Sequence, residues 1–172
     1  MNLDELFLNR QSCRNYDKEK TVKKEDLEAI IEAARIAPSA RNDQPWFFTV
    51  VTSNDLLPKV RSACQGHGFN TFTDNVKAFI VIQENKDLSR LLPRDFAQID
   101  IGLATSQMIL KASSLGLSTC ILGAFDGVAL KEACGIESAQ PIRLVLCVGY
   151  ADSSDIIRPK KRKDFDDIAK FI

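Results

Sequence analysis

The segment RDFAQIDIGLATSQMILKASSLG, residues 94–116, places the strongest constraint on this chain of 172 residues. Phe96, Ile99, Ile101, Leu103, Met108, Ile109, Leu110 and Leu115 cover nearly every face of a helix over 94–115. A helix apolar all round must be buried on several sides, within its own domain or against a second subunit. Gly116 stands where a helix turns off through a left-handed residue. At this length and 45% hydrophobic content, the chain has core for one domain and hardly for two.

The remaining elements are read around that helix. Leu3, Leu6 and Phe7 give one face of a short first helix, and RQSCRNYDKEK (10–20) is a polar loop. Leu27, Ile30, Ile31 and Ala34 recur at i, i+3, i+4, i+7, which predicts a helix over 23–36 with Glu25 and Asp26 in its first turn. Pro38 stops it. WFFTVVTS (46–53) is β-branched and aromatic and predicts a strand, followed by a helix near 54–64. AFIVIQ (78–83) is a continuous apolar run, as in a strand covered on both faces. STCIL (118–122) and IRLVLCVGY (142–150) predict two more strands. Between them Asp126 can cap a short helix that ends at Gly135. Residues 151–172 form a charged tail. The irregular order of strands and helices predicts an α+β fold, a mixed sheet flanked by helices, in a single domain over 1–172.

Several chemistries lack their residues. Five cysteines, none in a C-x-x-C pair, and a single histidine argue against a zinc site or a disulfide framework, and no metal is expected. Cys120, Cys134 and Cys147 read as small core residues. His67 reads as a loop residue, and no Gly-x-Ser-x-Gly accompanies it. No Walker motif is present, and no Gly-x-Gly-x-x-Gly follows the first strand. Lys plus Arg (23) equals Asp plus Glu (23), so no global field attracts nucleic acid or an anionic membrane. No apolar run reaches membrane-spanning length, and MNLDELFLNR has no signal-type apolar core, so a cytoplasmic location is expected.

Three stretches can carry a ligand. Arg10-Gln11-Ser12-Cys13-Arg14 is either a solvated basic loop or a phosphate-holding one. Arg158-Pro159-Lys160-Lys161-Arg162-Lys163 is either a solvated tail or an anion contact; Asp164, Asp166 and Asp167 cancel much of its field and weigh against nucleic acid. APSARNDQPW (37–46) offers hydroxyl, amide and backbone groups suited to the edge of a polar heterocycle, or is simply a helix stop followed by a turn. Side chains for hard chemistry are scarce, so a cofactor would have to supply it.

These residues carry a resemblance. RQSCRNY, APSARNDQPWFF, the K-K-R-K element and IDIGLATSQMILKASSLGLSTCILGAFD resemble, in order and spacing, the nitroreductase family of FMN-dependent oxidoreductases over essentially the whole chain. The resemblance implies an α+β sandwich working as an intertwined homodimer, with FMN at the subunit interface and tail 151–172 packing on the partner. It implies that Arg10 and Ser12 hold the phosphate and ribityl chain, joined by Lys160 and Arg162, and that Arg14 approaches the N1–O2 edge of the ring. Ile121, Gly123 and Ala124 would line the redox edge. Pro38, Ser39 and Asn42 would meet the ring largely from the opposite subunit, with Gln44, Pro45 and Trp46 supporting their loop. Asn70 is a weaker match to residues that reach the ring in larger members, and Ala40 stands where many relatives carry serine.

The implied activity is electron transfer from NADH or NADPH through flavin N5 to nitroaromatic, quinone or similar small electron-poor acceptors in a ping-pong scheme. A flavin-binding protein with a storage, sensing or partner-binding role is the alternative of another class. Reductive dehalogenation or flavin breakdown on the same fold would need a lid segment, and none is identified in the sequence.

Overall fold

The computed structural model describes residues 2–85 and 94–172. Its sheet has four strands: β1 (Trp46–Val51), β2 (Ala78–Glu84), β3 (Ser118–Leu122) and β4 (Ile142–Gly149), in the order β1-β2-β4-β3. All seven residues of β2 are buried, as its unbroken apolar run requires. Ala78, Ile80 and Ile82 point to one face and Phe79 and Val81 to the other, following the period of two.

Among the described residues two pairs of helices cover the two faces. On one, α2 (Lys24–Arg35) and α4 (Arg94–Ser114) bury Leu27, Ile30, Ala34, Ile101, Ala104 and Met108 against Ile80, Ile82, Leu146 and Val148. On the other, α3 (Leu57–Cys64) and α5 (Gly127–Cys134) bury Leu57, Val60, Cys64 and Leu130 against Phe79, Val81, Val145 and Cys147. The short α1 (Leu3–Asn9) starts with a capping box between Asn2 and Glu5. Asp126 caps α5 by accepting from the Val128 and Ala129 N–H groups, each at 3.0 Å, and Gly135 ends it at φ 65°. The result is the α+β sandwich that the sequence predicts, with element boundaries matching within a few residues.

Two features differ from expectation. The sheet expected to be mixed is antiparallel in all three of its ladders, and the parallel component is an isolated bridge between Ser12 and Thr119. The consecutive strands β1 and β2, and β3 and β4, are direct neighbours, and such pairs can return antiparallel without a crossover. Helix α4 is not covered all round either. Phe96, Ile99 and Leu103 stay 44%, 58% and 43% exposed and form a stripe at i, i+3, i+7 along it. The sequence allowed burial within the domain or against a second subunit, and within this chain these three residues stay outside.

The C-terminal segment also folds back. Its first part, 151–160, lies along residues 10–17 of the same chain, while 163–172 stays exposed. Gly149 lets this happen: a Cβ there would stand 2.8 Å from the Tyr16 ring, which is buried against the end of β4.

All five thiols belong to or pack against one core layer, and all are free. Burial pushes the thiols of Cys13 and Cys64 from the ordinary 9.0 up to about 12. A folded value above the unfolded one contributes stability that is fully present below pH 9 and is lost as pH rises toward 12. The stability of the protein should therefore fall above pH 9, by up to about 1.4 kcal/mol per pH unit for each such thiol. Urea midpoints measured between pH 8 and pH 10.5 should decline less steeply in Cys64→Ala than in wild type; equal slopes would remove Cys64 from this account.

Candidate functional site

The eleven ligand residues expected from the sequence fall into two groups at opposite edges of the sheet. The first lies along β3. Ser12 bridges Thr119, and the Cys13 N–H donates to the Thr119 carbonyl at 2.9 Å, which seats the loop 10–14 beside the strand. Arg10 shares a cleft of about 210 Å³ with Ser113, Ser118, Thr119 and Asp155. Further along the same strand Ile121 is 40% exposed, and Gly123 and Ala124 lie exposed just past its end. Lys160 reaches this group by donating to the Arg10 carbonyl oxygen, and Arg162 follows it on the exposed tail.

The electrostatics of this group favour an anion. The Lys160 ammonium is held below its ordinary 10.5 by burial first, and then by the charges of Arg10, Arg162 and Arg158. No carboxylate is among the groups acting on it. Asp155, which lines the same cleft as Arg10, has a side chain only 6% exposed and is engaged by the Arg158 guanidinium at 3.0 Å. Four cations thus converge with their repulsion incompletely balanced. A multiply charged oxyanion would relieve that repulsion and accept hydrogen bonds from Arg10, Lys160 and Arg162, the cations not already engaged by a carboxylate.

The second group precedes β1, at the far edge. Pro38 and Asn42 are exposed and Ser39 is half-buried. Their loop is strained: Arg41, Asn42 and Gln44 have φ of 54°, 60° and 49°. Each non-glycine residue in this left-handed region costs about 1 kcal/mol, which persists only where the surroundings hold it. What holds it is visible. The Gln44 N–H donates to Ser39 Oγ at 3.0 Å, and Gln44 Nε2 donates to the Asn42 carbonyl at 3.1 Å. The Trp46 N–H donates to the Gln44 carbonyl at 2.8 Å, and the Asn85 N–H to the Pro45 carbonyl at 3.1 Å. Gln44, Pro45 and Trp46 are therefore supports of the loop. Ser39 Oγ accepts from Gln44 and still carries a hydroxyl hydrogen that can donate.

The two groups do not meet within this chain. The Ala40 N–H donates to both carboxylate oxygens of Asp100, at 3.2 and 3.1 Å, which ties the second group to α4 near residue 100. The first group touches α4 at Ser113. Thirteen residues of helix separate these points, about 20 Å along the axis. The three strand spacings between β1 and β3 add about 14 Å across the sheet.

A sequence model of the Nitroreductase family matches residues 8–150. This chain belongs to the nitroreductase family. An Archaeoglobus fulgidus protein, provisionally named an NADH dehydrogenase/NAD(P)H nitroreductase, is 34% identical over 164 residues, covering 93% of this chain and 87% of that one. The solved structure of a nitroreductase family protein from Clostridium difficile 630 matches with a TM-score of 0.84 at 28% identity, covering 99% of this chain and 98% of its own. An FMN-dependent nitroreductase from Clostridium difficile R20291 matches with a TM-score of 0.77 at 26% identity, covering 96% and 94%.

Within this nitroreductase fold, several contributors escape sequence reasoning. Asn70, which the sequence offered only as a weaker match for a ring contact, instead donates Nδ2, from a left-handed conformation, to the carbonyls of Cys64 at 2.9 Å and Ala124 at 2.7 Å, a supporting role the sequence does not show. It holds the 123–124 backbone in place. Asp100 looks like one polar interruption of an apolar helix, yet it is 3% exposed and anchors the strained loop. Gln11, Asp155 and Arg158 organise the cationic group through contacts 144 to 147 residues apart in sequence, a separation that leaves no local signal. Among the described residues no cluster suits a metal ion, and no helix is long and apolar enough to cross a membrane.

Replacing Asp100 by Ala strands the Ala40 N–H and frees a strained loop. Asp100→Ala should cost about 1–3 kcal/mol of stability, and Asp100→Asn, which keeps one acceptor, clearly less. Urea denaturation of the two variants checks this ranking; equal losses would show that the acceptor is not what matters.

Proposed function

We propose that this chain is an FMN-dependent NAD(P)H oxidoreductase whose two cofactor sites are each completed by both subunits of a homodimer, working in a reducing cytoplasm where its five thiols stay free. The convergence of Arg10, Lys160 and Arg162 beside the start of β3, where Arg10 shares a cleft with Ser118 and Thr119 and Lys160 donates to the Arg10 carbonyl, carries this reading. The structural neighbour from Clostridium difficile R20291 supports it, being itself FMN-dependent. When bound, the flavin would supply the redox step, taking hydride from NADH or NADPH and passing electrons to an electron-poor organic acceptor such as a nitroaromatic or a quinone.

The residues of the chain have binding and orienting tasks. Arg10, Lys160 and Arg162 neutralise the phosphate, with Ser12 beside them. Arg14, exposed on the same loop, offers a cation to the pyrimidine edge of the ring, where negative charge develops on reduction. Ile121 and the backbone at Gly123 and Ala124 face the redox edge. Pro38, Asn42 and the hydroxyl hydrogen of Ser39 come from the other subunit, because the sheet separates their loop from Arg10 of the same chain. The exposed stripe of α4 supports the homodimer, since pairing would remove Phe96, Ile99 and Leu103 from water. No side chain needs to serve as acid or base for hydride transfer, and the two substrates can use one pocket in turn.

The purified protein should carry, or take up, FMN and show flavin absorbance. Anaerobic NADH or NADPH should bleach it, and a nitroaromatic or quinone should restore it; a protein that binds FMN but is not bleached is a flavin carrier instead. Arg10→Ala should weaken FMN binding by about 1.5–3 kcal/mol. An isolated heterodimer of one Arg10→Ala chain and one Asn42→Ala chain should keep one tight FMN site, since one site then carries both defects and the other neither. Absence of any tight site in that heterodimer, with both homodimers weakened, would place the two residues on the same flavin from the same chain.

A further inference from the structure

Residues 150–158 run antiparallel along residues 11–17. The Asp17 N–H donates to the Tyr150 carbonyl at 2.9 Å, Tyr16 bridges Ala151, and the Asp152 N–H donates to the Asn15 carbonyl at 3.0 Å. There the main-chain pairing ends and side chains take over: Asn15 Nδ2 donates to Ser154 Oγ at 2.7 Å, and beyond it Gln11 joins the segments. Gln11 Nε2 donates to the Ile156 carbonyl at 3.1 Å, while Gln11 Oε1 accepts from the Arg158 N–H at 3.0 Å. The side-chain amide thus pairs with the tail as a peptide group would. Arg158 adds a second tie: its guanidinium donates to the Ser12 carbonyl at 2.5 Å and to Asp155 at 3.0 Å.

From these contacts we infer that Gln11 is a positioning residue for the phosphate site: with Arg158 it straps the C-terminal segment to the loop 10–14 and so assembles Arg10, Lys160 and Arg162 around one anion. The inference rests on the FMN reading given above. Both polar ends of Gln11 are spent on the tail, and the Arg158 guanidinium is spent on Ser12 and Asp155. Neither residue is therefore counted among the ligand contacts. Yet residues 157–163 form no helix or strand of their own, and the cations they carry repel Arg10. Chain entropy and like charge both favour dispersal of the tail. Gln11, a neutral side chain that both donates and accepts, holds it without adding to the like charge. Glutamate at 11 would lose the donor and set a carboxylate against the Ile156 carbonyl. Lysine there would lose the acceptor.

The test compares FMN with riboflavin, which has the same ring and ribityl chain without the phosphate. In wild type FMN should bind far more tightly than riboflavin. Gln11→Ala and Gln11→Glu should each weaken FMN binding about 10-fold and leave riboflavin within about twofold. Arg158→Ala should behave alike. Combining Gln11→Ala with Lys160→Ala should cost less than the product of the single effects, because both act on one cation group. In apo protein, trypsin should cut after Lys160–Lys163 faster in Gln11→Ala than in wild type. Equal losses for FMN and riboflavin would mean a general loosening of the site and overturn the inference, as would FMN affinity unchanged in both Gln11 variants. Wild type binding FMN no tighter than riboflavin would instead remove the phosphate clamp itself, and the FMN reading with it.

Discussion

Burial of β2 on both faces organises this protein. A strand with seven buried residues cannot lie at the surface of a two-layer structure, so it demands helices on either side. The pairs α2 with α4 and α3 with α5 meet that demand, and the apolar residues of β2 alternate between the two cores. With β2 and β4 central, β1 and β3 become the edges. Edges are where a sheet leaves loops and main-chain groups accessible. Both halves of the candidate site sit there, one beside each edge strand, so the need to bury a central strand also determines how far apart the two halves lie.

Charge and strain at the two halves are handled differently. At the β3 edge the chain, neutral overall, gathers cations that repel one another, and it holds them with neutral amide and carbonyl contacts and one carboxylate, Asp155. This leaves a local positive field for an anion without a global one. At the β1 edge three left-handed non-glycine residues are held by Asp100, Ser39 and the adjoining main chain. Ser39 can be both support and donor, since it receives one hydrogen bond from the loop and still carries a hydrogen that can donate. Rigid placement of this kind lowers the ordering cost of binding a planar polar ring.

Membership of the nitroreductase family accords with both halves, and the unpartnered α4 stripe gives a physical reason for pairing. Helix α4 carries more apolar surface than one sheet face can cover. Its inner side meets α2 and the sheet, and Phe96, Ile99 and Leu103 remain outside. The helix that anchors the strained loop near Asp100 and reaches the cationic cleft at Ser113 is thus also the helix with a face left to offer.

Much of this was legible in the residues alone. Periodicity and punctuation sufficed for Leu27-Ile30-Ala34, the unbroken AFIVIQ run, the Asp126 cap and the Gly135 stop, because each depends on neighbours within a few positions. The motif stretches 10–14, 37–46 and 158–163 also announced themselves, since Arg, Ser, Asn and Pro in such clusters have few structural uses. The antiparallel sense of every ladder did not, because register depends on which strand comes to lie beside which. Nor did the work of Gln11, Asp100, Asp155 and Arg158. Each makes its decisive contact with a residue 60 or more positions away, or, for Asp155 and Arg158, acts together with one that does. Local propensity determined the elements and the chemical inventory. Only the packed chain decided which of those groups would face one another, because contacts between distant segments exist only once the core has brought them together.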